Sequence, residues 1–322
     1  ADAPRDQLGT WVMDGKDEDS VTPLSALKRT LGEDCEIIHV PCLQSKYLPD
    51  HPQFDAAVAA AKEADLALLF VGEEESFSGE AHSRTELGLP GSQDRLVEAV
   101  GELDVPTVMI VNAGRPLTIG KQIEQVDAVL FGWQAGTMMG PAIVDLLLGV
   151  ESPSGKLPVT FPKSVGQVPL YYNHPQTGRP AAADYQAPAL KDVKDMPENV
   201  RYASHYIDSD PFPLFPFGFG LSYADFGYED LDLSARELDK EGQIVVKVRV
   251  TNKGKHAGTE VVQLYVRDMV GSVVRPVREL KDFQRVPLEP GESKVVEFVL
   301  AADQLGCFNQ AEAFLIEPSE FE

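Results

Sequence analysis

Cysteine is scarce in this sequence: Cys35, Cys42 and Cys307 are the only three among 322 residues. They are too few and too scattered for a disulfide framework or a zinc site. A Cys35–Cys42 bridge is one arrangement, and two unpaired buried thiols is the reading favoured. Positive charge is also in short supply, with 28 Lys and Arg against 51 Asp and Glu and a net charge of -23. A nucleic acid would be repelled by such a surface, which argues against nucleic-acid binding. An acidic surface aids solubility but carries no information about fold. No apolar run reaches the ~20 residues that a membrane-spanning helix requires. There is no signal peptide and no initiator Met. The opening Ala1-Asp-Ala-Pro reads as the interior of a longer polypeptide. No internal repeat is visible. What is present is ordinary globular material, 43% hydrophobic and 25% charged, long enough for two domains.

The first half alternates helices and strands. Thr22-Pro23 is a good helix start, with Thr as N-cap and Pro at the first helical position. Val21, Leu24, Leu27 and Leu31 follow at helical spacing, and Gly32 stops the run. Residues 36–40 read as a short strand, in which His39 is a core or edge residue rather than a ligand. Phe54 to Ala64 is an Ala-rich helix, and Ser92 caps another over Gln93–Leu103. The apolar run Leu66–Val71 reads as a strand buried on both faces, Pro106–Asn112 as the next buried strand and Ala128–Trp133 as another strand. A helix runs from about Pro141 to Leu148. Leu157–Phe161 is a weaker edge strand, because Pro158 removes a ladder donor. This alternation implies a mostly parallel sheet with right-handed crossovers. The segments after its strands, Gly72–Arg84, Asn112–Arg115 and Trp133–Gly140, then collect at one edge, where α/β sheets bind ligands. Gly149 to Lys156 is not a phosphate loop, since Leu157 stands where the magnesium-binding Ser or Thr belongs.

The second half differs. Residues 162–226 are rich in Pro, Gly, Tyr and Phe, with little periodicity, and read as functional or packed across a domain boundary, with Pro213–Tyr223 a docked connector. From Tyr228 the period becomes two. Ile244, Val246, Val248 and Val250 form one such series, Val262, Leu264 and Val266 a second, and Val296, Phe298 and Leu300 a third. Turns at Asn252-Lys-Gly254 and Pro290-Gly291 complete a β-sandwich signature of the immunoglobulin or fibronectin type III kind. Its final strand is expected beyond Glu322. The fold class is therefore an α/β open sandwich, a mostly parallel sheet with flanking helices, followed by an all-β fibronectin type III-like sandwich. The expected boundaries are 1–165, 166–226 and 227–322.

The chemistry is expected after the first strand. Glu80 is surrounded there by Glu73, Glu74, Glu75, His82, Arg84 and Glu86. Clustered carboxylates raise one another's pKa, and a carboxylic acid kept protonated near neutral pH can act as a general acid. A sugar hydrolase needs two carboxyl groups flanking the bond to be cut. This loop can supply the acid, and a partner from elsewhere must supply the nucleophile. The plainer reading is a solvated acidic loop. Trp11, in an otherwise polar opening segment, could stack on a ligand, although a packing anchor is the plainer role.

Seven motifs then occur in order: Val71-Gly-Glu73, Ser78-Gly-Glu80-Ala-His-Ser-Arg84-Thr, Leu89-Pro-Gly-Ser-Gln93, Asn112-Ala-Gly-Arg115-Pro116, Trp133-Gln-Ala-Gly136, Pro153-Ser-Gly-Lys156-Leu-Pro-Val-Thr-Phe161-Pro and Phe215-Pro-Phe-Gly-Phe-Gly220-Leu-Ser-Tyr223. Together they resemble the C-terminal half of glycoside hydrolase family 3, in its bacterial, periplasmic β-glucosidase-like branch. The resemblance covers essentially the whole chain. It implies that the (β/α)8 barrel carrying the nucleophile Asp, and the first strand of the α/β sandwich, lie before Ala1. It assigns the acid/base role to Glu80, with Glu75 a lesser candidate. It places Trp11, Arg84, His82 and Glu73 at the substrate site, Trp11 by stacking on the leaving-group sugar. Arg84 could equally pair with a carboxylate and position the loop, and Glu73 could tune Glu80 or bond loop backbone. Asn112 and Arg115 read as structural.

The implied enzyme is a retaining exo-β-glucosidase acting on β-glucosides and oligosaccharides, as in cellulose degradation. It needs no metal or organic cofactor. The implied partners are the barrel and the sugar, with a homodimer one option for assembly. The location implied is periplasmic or secreted, and the fragment alone is expected to be inactive. A non-catalytic carbohydrate-binding or scaffold fragment is the alternative from another class. β-Xylosidase or N-acetylglucosaminidase specificity is the alternative within the enzyme class, the intact Ser-Gly-Glu80 loop arguing against the latter.

Overall fold

Three short apolar runs build the first sheet. The computed structural model describes residues 1–42, 53–176, 178–187 and 190–322. Two compact units divide the chain, the first comprising residues 1–151 and 161–168, the second residues 152–160 and 169–322.

In the first unit, α1 (Pro4–Leu8) precedes α2 (Pro23–Leu31). Thr22 caps α2 by accepting the Ser25 N–H at 3.3 Å, and Gly32 ends it with φ +56°. α3 (Phe54–Lys62) follows, then β1 (Ala67–Gly72), α4 (Gln93–Gly101), β2 (Thr107–Asn112), α5 (Gly120–Ile123), β3 (Ala128–Phe131) and α6 (Met139–Leu147). The sheet order is β1-β2-β3, and both pairings are parallel. β2 is central, and its Met109, Ile110 and Val111 are fully buried. Ile110 packs with Met139 and Ile143 of α6, while Ala26 and Leu27 of α2 pack with Val144 on the same helix. Burial of one such side chain stabilises by about 1.5–3 kcal/mol.

Two expected strands are absent. Residues 36–40 have no ladder partner among the described residues, so the run stays irregular, with Ile38 and His39 exposed. Leu157–Phe161 also forms no strand. Leu157 instead exchanges backbone bonds with Phe219 and Gly218, both at 2.8 Å. Pro158 has no N–H with which to continue that pairing. The cysteines are free, and Cys35 is exposed while Cys42 is buried.

The second unit contains α7 (Glu198–Arg201) and an antiparallel sandwich. One sheet holds β4 (Phe226–Leu233), β5 (Gln243–Asn252) and β8 (Ser293–Ala301), and the other holds β6 (Gly258–Val266) and β7 (Glu279–Leu288). β9 (Cys307–Phe308) and β10 (Phe314–Leu315) form a small hairpin. Alternate residues face inward, so Val246, Val250, Val262, Val286, Leu288, Val296 and Phe298 form one core. The aromatic segment before the sandwich docks on it. Tyr172 stacks on Phe217 with ring centroids 4.2 Å apart, and its hydroxyl accepts the Leu280 N–H at 3.3 Å. Lys156 bridges Glu260 at 3.1 Å and the Gly220 carbonyl at 2.8 Å.

Candidate active site

Because Gly72 pairs with Asn112 at the ends of parallel strands, the segments after β1 and β2 leave the sheet side by side. Gly72 has φ +129°, and a Cβ there would collide with the Asn112 carbonyl, so only glycine lets the strands approach this closely. Gln93 at the start of α4 holds the same point. Its side-chain amide accepts the Gly72 N–H at 2.6 Å and donates to the Gly72 carbonyl at 2.8 Å. The next residue, Glu73, donates its N–H to Asn112 at 2.7 Å.

The Glu73 side chain has 0% exposure. A lone carboxylate in that position would cost several kcal/mol, and two arginines offset this cost. Arg84 Nη1 lies 2.5 Å from Oε1, and Arg115 Nε lies 3.2 Å from Oε2. Both guanidiniums also reach backbone carbonyls. Arg84 Nη2 donates to Gly88 at 3.1 Å, with its guanidinium 5.2 Å from the centre of the Phe77 ring. Arg115 Nη2 donates to the carbonyls of Phe77 and His82, the latter at 2.9 Å.

The loop from Glu74 to His82 is tied down on its other rim by the opening segment. The Thr10 hydroxyl reaches the Glu75 and Ser78 carbonyls, each at 2.5 Å. Asp6 Oδ1 accepts the Glu75 N–H at 3.1 Å, and the Asp6 carbonyl accepts from Asn112 Nδ2 at 3.0 Å. At the tip, Gly79 has φ +121° and Ala81 φ +63°, a left-handed pair that turns the chain back within three residues. Ala81 holds a conformation that costs a non-glycine residue about 1 kcal/mol or more. Glu80 sits between them. Its side chain is exposed and has no hydrogen-bond or ion-pair partner among the described residues.

The sequence-derived candidates therefore fall in distinct environments. Glu80 and His82 are exposed on the tip, with His82 Nδ1 3.0 Å from the Ser78 carbonyl. Arg84 and Glu73 lie at the neck, paired with each other. Trp11 is 65% exposed and follows Thr10, which holds the loop. Sequence reasoning gave Arg115, Thr10 and Asp6 no part in this loop. The Asn112-Ala-Gly-Arg115 turn at the same sheet edge was the available signal. No group of three or more His, Cys, Asp or Glu side chains among the described residues is arranged to hold a metal ion. No helix among them is long and apolar enough to cross a membrane.

Chemically, the loop is fastened at both rims and carries two carboxyl groups with no side-chain partner among the described residues, half-buried Glu75 and exposed Glu80, of which Glu80 at the tip is the one open to a bound molecule. The comparisons with known proteins agree with the motifs. Residues 1–223 match the glycosyl hydrolase family 3 C-terminal domain, and residues 260–322 match a fibronectin type III-like domain. The chain is 38% identical to the periplasmic β-glucosidase of Salmonella typhimurium, covering 100% of this chain and 43% of that protein. It is 36% identical to a β-xylosidase of Formosa agariphila, over 94% of this chain and 39% of that one. Among solved structures, the β-glucosidase of Listeria innocua in complex with gluconolactone superimposes with a TM-score of 0.87 at 35% identity, covering 99% of this chain and 41% of that one. The chain thus spans about two fifths of the length of the relatives it matches. The chain belongs to glycoside hydrolase family 3, of which it contains the C-terminal α/β domain and a fibronectin type III-like domain.

Proposed function

We propose that this chain is part of a retaining exo-β-glucosidase that removes terminal non-reducing β-D-glucosyl residues, with Glu80 as general acid/base. The nucleophile, an Asp, lies on a (β/α)8 barrel outside these residues. The observation that carries this reading is the exposed, unpartnered Glu80 carboxyl at the tip of a fastened loop, within the Ser-Gly-Glu motif. In the first step the barrel carboxylate bonds to the anomeric carbon as the bond from that carbon to the leaving oxygen breaks. The Glu80 proton passes to that oxygen. In the second step water bonds to the anomeric carbon and gives a proton to Glu80, and the bond to the barrel carboxylate breaks. Both carboxyl groups regain their starting states. Retaining pairs stand about 5–5.5 Å apart, so the Glu80 loop has to reach the barrel mouth.

Trp11 stacks on the leaving-group sugar, supported by its exposure beside the loop tether. His82 stands next to the acid and Arg84 at the neck of the loop, whereas Glu73, with a fully buried side chain, holds the two arginines and does not touch the sugar. The substrates are β-glucosides and oligosaccharides. The periplasmic designation of the Salmonella relative supports a periplasmic or secreted location. A second reading, β-xylosidase specificity, draws support from the Formosa relative. The ratio of aryl β-glucoside to aryl β-xyloside turnover separates the two.

The role of Glu80 is tested with Glu80→Gly in the polypeptide that joins this chain to its barrel. With an activated aryl glucoside and added azide, the variant should release β-glucosyl azide, because the small anion needs no base to attack the glycosyl-enzyme. Unchanged hydrolysis of unactivated glucosides by that variant, with no azide product, would remove Glu80 from the role.

A further inference from the structure

We propose that Arg115 is a positioning residue that sets where Glu80 presents its carboxyl group, working through the buried Glu73 carboxylate. The inference rests on the acid/base reading of Glu80 given above.

The contacts divide the work unevenly. The Glu80 side chain has no partner among the described residues, so its location follows from the backbone that carries it. That backbone is pinched at its neck by one guanidinium. Arg115 Nη2 bonds the carbonyls of Phe77 and His82, the residues on either side of the Ser78–Ala81 tip. Its Nε is anchored on Glu73, whose carboxylate is fully buried at the end of β1. The chain of contacts thus runs from the sheet edge to Glu73, to Arg115, to both stems of the tip. Arg84 shares the Glu73 anchor, but its second bond goes to Gly88, beyond the tip. Arg115 alone of the two arginines closes the neck. Within the tip, His82 N–H to the Gly79 carbonyl at 3.3 Å is the long bond of a tight turn. It would hold the turn's shape but not its direction.

The fork geometry matters. A guanidinium can present Nε to a carboxylate and Nη2 to two carbonyls in one plane, whereas an ammonium is a point charge on a flexible stem. Arg115→Lys therefore keeps the charge opposite Glu73 and loses the closure of the neck. Proton transfer depends on heavy-atom distances of about 2.6–3.2 Å, so a small displacement of the tip is enough to slow it.

The test compares substrates that differ in leaving group, in the polypeptide that joins this chain to its barrel. A 2,4-dinitrophenyl β-glucoside needs little protonation of its leaving oxygen, and a phenyl or alkyl β-glucoside needs much. Arg115→Lys should lower kcat/KM roughly ten- to hundredfold on the poor leaving group, part of the 10²–10⁴ that general acid catalysis supplies. On the dinitrophenyl substrate kcat/KM, which reports only the first step, should fall under about threefold, while kcat and KM fall together because Glu80 is also the base of the second step. An equal fall on both substrates, or none on either, overturns the proposal, since a merely structural arginine would not discriminate between them. If Arg115→Lys does not fold, Thr10→Val carries the test. It removes only the hydroxyl that holds the Glu75 and Ser78 carbonyls on the opposite rim, and should discriminate in the same direction. Glu80→Gln is measured alongside. If Glu80→Gln discriminates between the substrates and Arg115→Lys, or Thr10→Val in its place, does not, the positioning role fails while the acid/base reading stands. If Glu80→Gln does not discriminate either, the acid/base reading fails and the positioning role fails with it.

Discussion

Glu73→Gln isolates the charge at the neck of the loop. The substitution keeps the volume and leaves a carbonyl and an amide where two carboxylate oxygens stood. It strips the countercharge from two guanidiniums that are themselves mostly buried, with side-chain exposures of 16% for Arg84 and 19% for Arg115. Breaking a buried ion pair by removing one partner costs about 3–5 kcal/mol, because a charge is left without compensation. For a unit of this size each kcal/mol moves the melting temperature by about 2–4 °C. The expected fall is therefore on the order of 10 °C in the transition of the α/β unit, read by differential scanning calorimetry. The deficit should persist at high salt, since buried pairs are screened much less than exposed ones. A loss under about 1 kcal/mol, or one that vanishes at 1 M salt, would place the triad with ordinary surface pairs and refute the reasoning.

Further expectations follow from the two cores and the thiols. Exposed Cys35 should react with a disulfide reagent in the native protein, whereas Cys42 should wait for unfolding, and equal rates would contradict the assignment. Burial pushes the Cys42 thiol above its ordinary value of 9.0, partly offset by a backbone hydrogen bond. The folded state therefore holds this proton more tightly, so its contribution to stability is complete below 9.0 and is lost as pH rises through the folded value. Cys42→Ala should flatten that alkaline loss, and a pH–stability curve identical to the parent's would refute it. Phe298→Ala in the sandwich core should cost about 3–5 kcal/mol in the transition of the second unit, measured by denaturant titration. A cost below about 1 kcal/mol would mean that the core collapses around the gap.

The parts of the fold legible in the sequence are those whose signal is local. The β1 and β2 runs carry enough contiguous apolar residues to demand burial, and the period-two stretches of β5, β6 and β8 dictate which face turns inward. The cap at Thr22 and the stop at Gly32 are likewise set by their own residues. Residues 36–40 show the limit. A five-residue segment with three apolar side chains becomes a strand only if a neighbour offers its backbone, and that neighbour is not a property of the segment. Leu157–Phe161 fails for a related reason, since Pro158 leaves Leu157 bonded to a loop rather than to a ladder. At the candidate site, the Ser78-Gly-Glu80 motif after an apolar run locates the loop at the sheet edge, and Arg84 among carboxylates points to the ion pair with Glu73. The share of Arg115 in the Glu73 pair spans 42 positions in the sequence, and no periodicity or short motif encodes such a contact. Buried thiols are the expectation for Cys35 and Cys42, yet Cys35 follows the Gly32 stop at an exposed position.

The most direct test of the central claim is hydrolysis of an aryl β-glucoside by this 322-residue chain, with and without a separately expressed family 3 barrel. The account predicts no turnover by the chain alone, turnover when the barrel is supplied, and loss of that turnover in Glu80→Gln. Robust activity from the chain by itself would contradict it, since both carboxyl groups would then have to lie within these residues.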